Sequence, residues 1–267
     1  MPALLLFTDF GFHGPYTGQV KQVLARKAPK VPVIELLADA PAFDPFRAAY
    51  LLSAFTDTAA IGDVVLAVVD PGVGTERRPV VVLADGRWFV GPDNGLLALV
   101  VRRAQAAQAW QIDWRPDRLS ATFHARDLFA PVAADIASGL RPGGIRLPLA
   151  GIERPDWPED LAEILYCDSY GNAMTGLRTG TVAATATLQV NGWSVPPART
   201  FADQPAGTPL WYGNSSGLVE IAVNQAAATR HLGLKTGMKV TVLPENAAQA
   251  DTGANDARRA GNPTPDQ

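Results

Sequence analysis

The chain has 267 residues, of which 47% are hydrophobic and 18% charged, with a net charge of −3. That length can bury one large core or two modest ones. The charge leaves no footprint for nucleic acid or anionic lipid, so a small-molecule ligand is expected and neither nucleic acid nor membrane is a partner. Cys167 is the sole cysteine and His13, His124 and His231 are the only histidines; this excludes a disulfide framework and a thiolate metal cluster, makes a structural zinc site unexpected, and fits a reducing, cytoplasmic setting.

The opening MPALLLFTDFGF has a short apolar run but neither a basic n-region nor a small-residue cleavage site, so it reads as a buried first strand. No apolar stretch reaches the roughly 18 residues that a membrane-spanning helix needs, and a soluble protein is expected. Apolar runs then alternate with amphipathic segments at 4–8, 16–28, 31–37, 46–56, 64–69, 80–83, 88–90 and 95–106. Near-continuous Val, Leu and Ile strands separated by helix-length segments predict an α/β domain with a mainly parallel sheet and helices on both faces. From 141 to 163 the chain becomes rich in proline and glycine without an apolar period, which places a boundary near Gly151 and divides a 1–150 α/β domain from a second domain over 151–245. There the runs shorten, at 164–167, 174–177, 186–190, 193–195, 210–212, 219–223 and 239–243, with Asn191-Gly192 between two of them. This pattern predicts a smaller all-β, barrel-like domain built from hairpins. Residues 246–267 contain almost no large apolar side chain and are expected to form a flexible tail.

Four polar clusters follow strands or occupy glycine-rich turns: Thr8-Asp9-Phe10-Gly11, Asp70-Pro71-Gly72-Val73-Gly74-Thr75 with Arg77, Gly91-Pro92-Asp93-Asn94-Gly95, and Phe123-His124-Ala125-Arg126-Asp127. In open α/β sheets ligands bind beyond the carboxyl ends of strands, so Asp9 and Asp70 would point into one crevice. Asp9 reads either as a helix cap or turn residue or as a carboxylate accepting two sugar hydroxyls. Asp70 is either a turn former ahead of Pro71 and Gly72 or part of a loop whose glycines let backbone approach a ligand. The spacing of Gly72 and Gly74 fits no dinucleotide fingerprint, and a phosphate loop is absent from the sequence. Asp93 and Asn94 most economically cap a helix starting near Gly95. A lone histidine is more often structural than catalytic, yet only His124 lies in a dense polar cluster of the α/β domain. In the second domain, Asp168-Ser169-Tyr170-Gly171-Asn172 and Asn214-Ser215-Ser216-Gly217 read either as tight turns or as donors and acceptors for a zwitterionic amino acid.

Taken in order, TDFG at 8–11, VVDPGVGTERRP at 68–79, FVGPDNGLL at 89–97, TFHARDLFAP at 122–131, CDSYGN at 167–172 and NSSGLVEIAVN at 214–224 resemble the S-adenosylmethionine hydrolases, also called S-adenosylmethionine hydroxide adenosyltransferases, which are related to fluorinating and chlorinating enzymes. The resemblance spans about residues 3 to 245. It implies an α/β domain followed by a β-barrel, and a homotrimer whose active sites lie between the N domain of one subunit and the C domain of its neighbour. It further implies release of adenosine and methionine from S-adenosylmethionine by water. The catalytic set falls on Asp70, Arg77 and His124, and the ribose-hydroxyl position on Asp9. Asp168 and Asn172 match positions near the methionine ammonium, and Ser215 and Ser216 lie in the loop near its carboxylate.

Attack at ribose C5′ expels a neutral thioether, so the leaving group needs no acid, and no metal or other cofactor is required. The demand is on water, which must be aligned and deprotonated; Asp70 and His124 could do both, with Arg77 stabilising developing hydroxide. Three positions depart from the family pattern. A histidine common after the second strand is absent at Leu37-Ala38-Asp39, Gly14 replaces a common aspartate, and Ala125 a usual glycine. The alternatives are a halogenase acting on the same substrate, whose members lack the equivalents of Asp70 and Arg77, and a non-catalytic sensor of S-adenosylmethionine or adenosine.

Overall fold

A computed structural model of the protein describes residues 2–243, so the tail at 246–267 lies outside the described residues. The chain divides into two compact units between Leu161 and Ala162, beyond the Gly151 read from the sequence. Residues 152–161 belong to the first unit because side chains anchor them there. The Tyr50 hydroxyl donates to the Pro158 carbonyl at 2.6 Å, the Trp157 ring meets Phe46 edge-on at 4.7 Å, and Arg102 and Arg103 pair with Glu159. Linker-like composition is here a strapped segment.

The first unit runs β1 (Leu4–Thr8), α1 (Tyr16–Lys27), β2 (Val33–Leu37), α2 (Pro45–Phe55), β3 (Val64–Val68), β4 (Pro79–Ala84), β5 (Arg87–Pro92), α3 (Ala98–Arg103), β6 (Ala107–Gln111), α4 (Ala130–Ala137) and β7 (Ile145–Leu147). Helix α2 starts where Asp44 accepts the Arg47 N–H at 3.0 Å and Pro45 pre-sets the first turn. The strand order is β2-β1-β3-β5-β4-β6-β7. Strands β2, β1, β3 and β5 pair in parallel, while β4, β6 and β7 pair antiparallel. The sheet is therefore mixed, not mainly parallel. The cause is the Asp85-Gly86 turn, with φ of 46° and 79°, which joins β4 directly to β5 as a tight hairpin.

Leu4, Leu6, Val64, Leu66, Val68, Val81 and Val90 share one core cluster with Val20 and Leu24 of α1 and the apolar side of α4. Strand alternation sends Leu5, Phe7, Val65 and Ala67 to the opposite face, where they are equally buried. The crossover from β1 to β2 and the return from β2 to β3 run in opposite directions, so right-handed connections put α1 and α2 on opposite faces. Between β1 and β3 the chain order reverses, and a crevice opens at their carboxyl ends.

The second unit contains β8 (Leu161–Cys167), β9 (Ala173–Arg178), β10 (Thr187–Val190), β11 (Trp193–Val195), β12 (Pro209–Gly213), β13 (Leu218–Val223), the short helix α5 (Ala228–His231) and β14 (Thr241–Leu243). They form antiparallel sheets ordered β12-β13-β9-β8 and β11-β10-β14 around one core that includes Ile164, Leu188, Trp211 and Ile221. Backbone bonds join the sheets on both flanks: Trp211 N–H to the Pro196 carbonyl at 2.9 Å on one side, Ile164 N–H to the Met238 carbonyl at 2.8 Å on the other. The result is the barrel-like arrangement expected. Asn191 and Gly192 turn the β10–β11 hairpin with φ of 49° and 78°, the left-handed pair that such a two-residue turn demands. No helix among the described residues is long and apolar enough to cross a membrane.

Candidate active site

Asp70 lies just past the end of β3, and its loop doubles back before β4. Val73 N–H donates to the Asp70 carbonyl at 3.2 Å, and the Thr75 hydroxyl to the Gly72 carbonyl at 2.7 Å. The fold-back returns Arg77 onto Asp70. Arg77 Nε donates to both carboxylate oxygens at 2.9 and 3.0 Å, and Nη2 donates to Oδ2 as well. Side-chain exposure is only 8% for Arg77 and 6% for Asp70, so this is a buried, fork-shaped ion pair.

The same Nη2 lies 3.0 Å from His124 Nδ1. A guanidinium only donates, so Nδ1 accepts and the imidazole proton sits on Nε2. Burial is the main force lowering the His124 pKa from its ordinary value, and the Arg77 charge adds to it. Both effects favour the neutral ring.

His124 leads into a π-helical turn, Ala125–Phe129, that continues as α4. Asp127 fixes the approach by accepting Ser120 N–H at 2.9 Å, and Arg126 ties Asp127 to Gln19. The hydrogen bond from Arg126 holds the Asp127 carboxyl below the usual range. Ala125 is buried and is not among the residues of positive φ, so alanine strains nothing at that position. Gly14 has a φ of 107°, a conformation open mainly to glycine. Ala38 is buried, and its carbonyl accepts Gly11 N–H at 2.7 Å.

Asp9 follows β1 on the other side of the crevice and accepts Phe43 N–H at 3.1 Å. Burial, chiefly, raises its pKa, and the nearby Asp70 charge pushes the same way. Asp9, Asp70 and His124 line one cleft of about 270 Å³ with Phe10, Phe43, Val73 and Phe123, close to the lower end of the range for small-molecule sites. The aromatic walls were not singled out from sequence. Phe10 and Phe123 flank the motif residues directly, and that adjacency was the available signal. Helix α3 begins at Ala98 without a side-chain cap, but Asn94 Oδ1 accepts Leu96 N–H at 3.2 Å in the turn that leads into it, while Asp93 pairs with Arg78.

In the second unit Asp168 holds its own turn by accepting Asn172 N–H at 2.8 Å and the Asn172 side-chain amide at 3.3 Å. Ser215 and Ser216 sit in the β12–β13 turn, where Asn214 Oδ1 takes the N–H groups of Ser216 and Leu218 at 3.0 Å. The first turn leads into β9 and the second into β13, which pair at Ala173–Ile221 and Arg178–Leu218 with a break in register between. Between them the buried Glu220 accepts from Tyr212 and from Asn214. Asn214 and Glu220 both lie in the NSSGLVEIAVN motif at 214–224, but the spacing alone does not announce their contact. Groups of three potential metal ligands are absent among the described residues.

Such a fold and site define a two-unit protein with a cleft at the reversal point of a mixed α/β sheet, over a buried carboxylate–guanidinium pair and a half-buried neutral imidazole. The chain belongs to the SAM hydroxide adenosyltransferase family, whose N-terminal domain matches residues 4–146 and whose C-terminal domain matches residues 162–241. It is 42% identical to a Thermus thermophilus protein named (R)-S-adenosyl-L-methionine hydrolase, across 91% of this chain and 100% of that protein. A fluorinase from Actinopolyspora mzabensis is more distant, 25% identical over 90% of this chain and 97% of that protein. The crystal structure of an uncharacterized conserved protein from Thermotoga maritima superposes with a TM-score of 0.82 at 29% identity, covering 90% of this chain and 100% of that one.

Proposed function

We propose that this protein hydrolyses S-adenosyl-L-methionine to adenosine and L-methionine by attack of water on ribose C5′, with the (R)-sulfonium epimer of its relatives' name as substrate. The observation that carries this reading is that Asp70 and His124, which line the cleft, are joined to each other through Arg77. Arg77 occupies the only lone pair of the neutral imidazole, so His124 holds the water oxygen through Nε2–H. Asp70 keeps acceptor capacity beyond its three bonds to Arg77 and takes the water proton. This division of labour is narrower than a joint Asp70–His124 base. Breaking the C5′–S bond returns its electron pair to sulfur and leaves a neutral thioether, so no acid, metal or redox cofactor enters the scheme.

Asp9 would hold the ribose hydroxyls, Asp168 and Asn172 the methionine ammonium, and Ser215 and Ser216 its carboxylate. A cytoplasmic homotrimer with sites at subunit interfaces completes the proposal, on the family resemblance. The test is incubation of the separated sulfonium epimers in oxygen-18 water with and without halide. Label in adenosine that disappears in Asp70→Asn supports hydrolysis. Halogenated nucleoside would make the protein a halogenase, and tight binding without product would make it a sensor.

A further inference from the structure

The Gly91–Gly95 loop has no part in the chemistry above, yet its two polar side chains each grip a neighbour of the buried ion pair. Asn94 Nδ2 donates to the Val69 carbonyl at 2.8 Å, one residue before Asp70. Asp93 N–H donates to the Arg78 carbonyl at 2.8 Å, and its carboxylate takes Arg78 Nε at 2.9 Å and Nη2 at 2.5 Å, one residue after Arg77. Val69 is fully buried, so its carbonyl needs such a partner. The loop itself is wedged in place. A Cβ at Gly91 would lie 2.2 Å from the Ala67 carbonyl oxygen, and one at Gly95 would lie 2.4 Å from the Trp157 ring.

We infer that Asp93 and Asn94 are positioning residues, a clamp that sets the two ends of the Asp70–Arg77 pair so that the carboxylate faces the cleft. The orientation of the 69–70 peptide fixes where the Asp70 side chain leaves the backbone, and the strand start at 78–79 does the same for Arg77. The inference rests on the proposed hydrolysis.

Asn94→Asp separates this role from a merely structural one. The introduced carboxylate still accepts Leu96 N–H, which Asn94 Oδ1 takes at 3.2 Å, but turns a second oxygen against the Val69 carbonyl. At neutral pH kcat falls about 10- to 100-fold, the scale of a slightly misplaced catalytic group, with KM within about threefold. As pH falls and the introduced carboxyl takes up a proton, it donates to Val69 again, and kcat relative to wild type recovers; Asn94→Ala shows the loss without the recovery. Unchanged kcat in Asn94→Asp, a loss confined to KM, or a ratio independent of pH overturns the clamp. The ring-nitrogen NMR shifts of His124 report the same geometry without turnover: they move in Asn94→Asp if the clamp acts, and unmoved shifts overturn it. Wild type that releases no adenosine, with His124 shifts that still move in the variant, removes the hydrolase reading and leaves the clamp standing.

Discussion

A guanidinium has no lone pair to offer, so the 3.0 Å contact between Arg77 and His124 determines which imidazole nitrogen carries the proton. Lysine in place of Arg77 keeps the charge and loses the fork that spans Asp70 and His124. Arg77→Lys should therefore lower kcat about 100-fold or more with a smaller change in KM, measured by adenosine release. The His124 pKa is lowered in the folded state, so the unfolded chain binds the proton more readily as pH falls. The stability that neutral His124 contributes is full above its ordinary value of about 6.5 and is lost below it. Turnover should hold through pH 6.5 and fall only under it, and the melting-temperature gap between wild type and His124→Gln should narrow on the same side; a turnover midpoint above 6.5 would contradict the neutral ring. Asp9 runs the other way. Its folded pKa is raised, so the charged form is a burden at neutral pH. Asp9→Asn should raise Tm while weakening substrate about 10- to 100-fold in KM, because a charged hydrogen-bond acceptor for the ligand is gone. Of these residues, Asp9 and Asp70 were expected to share a crevice because each follows an apolar run, whereas Arg77 and His124 entered the catalytic set through the family resemblance. The tautomer was not legible from sequence, since it depends on a contact between residues 47 positions apart.

At the scale of elements, the loop after β3 and the segment before α4 meet where Gly74 faces Ala121. Gly74 has φ of 82°, and a Cβ there would come within 2.6 Å of the Ala121 carbonyl oxygen. Gly74→Ala should cost about 1–3 kcal/mol in urea unfolding and lower kcat by shifting the segment that carries His124. Gly72→Ala, with negative φ and its nearest contact at 3.3 Å, should be the milder change. The apolar runs of β1 and β3 announced themselves, because strands buried on both faces have little other composition available. The direction of β4 did not. A run of valines reads alike in parallel and antiparallel surroundings, and what decides it is the Asp85-Gly86 turn, a dipeptide of the same kind as Asn191-Gly192. β6 has the sequence AQAWQ and pairs through its neighbour β4 rather than through an apolar pattern of its own. The π-helical turn beside His124 likewise leaves no periodic trace, being an adjustment of one helix entry.

For the whole molecule, the proposed chemistry needs groups from both units, and the family resemblance assigns them to different subunits of a trimer. Large apolar side chains stand exposed on both: Phe12 at 70% and Phe43 at 78% on the first unit, Tyr170 at 80% on the second. Side chains of that kind near a ligand site commonly become covered by a partner. The arrangement makes a quantitative prediction for mixed assemblies. Asp70→Asn disables the first unit's contribution and Asp168→Asn the second's, and each variant alone should be strongly impaired. Unfolded, mixed in equal amounts and refolded together, the two should regain activity if each site draws one unit from each of two subunits. About a quarter of sites then receive an intact half from both sides, because the two halves are drawn independently. A site built within one chain is never repaired by mixing, and adenosine release stays at the level of the separate variants. Light scattering on the same samples reads the oligomer directly, so a trimer without complementation would retain the assembly and reject the shared site.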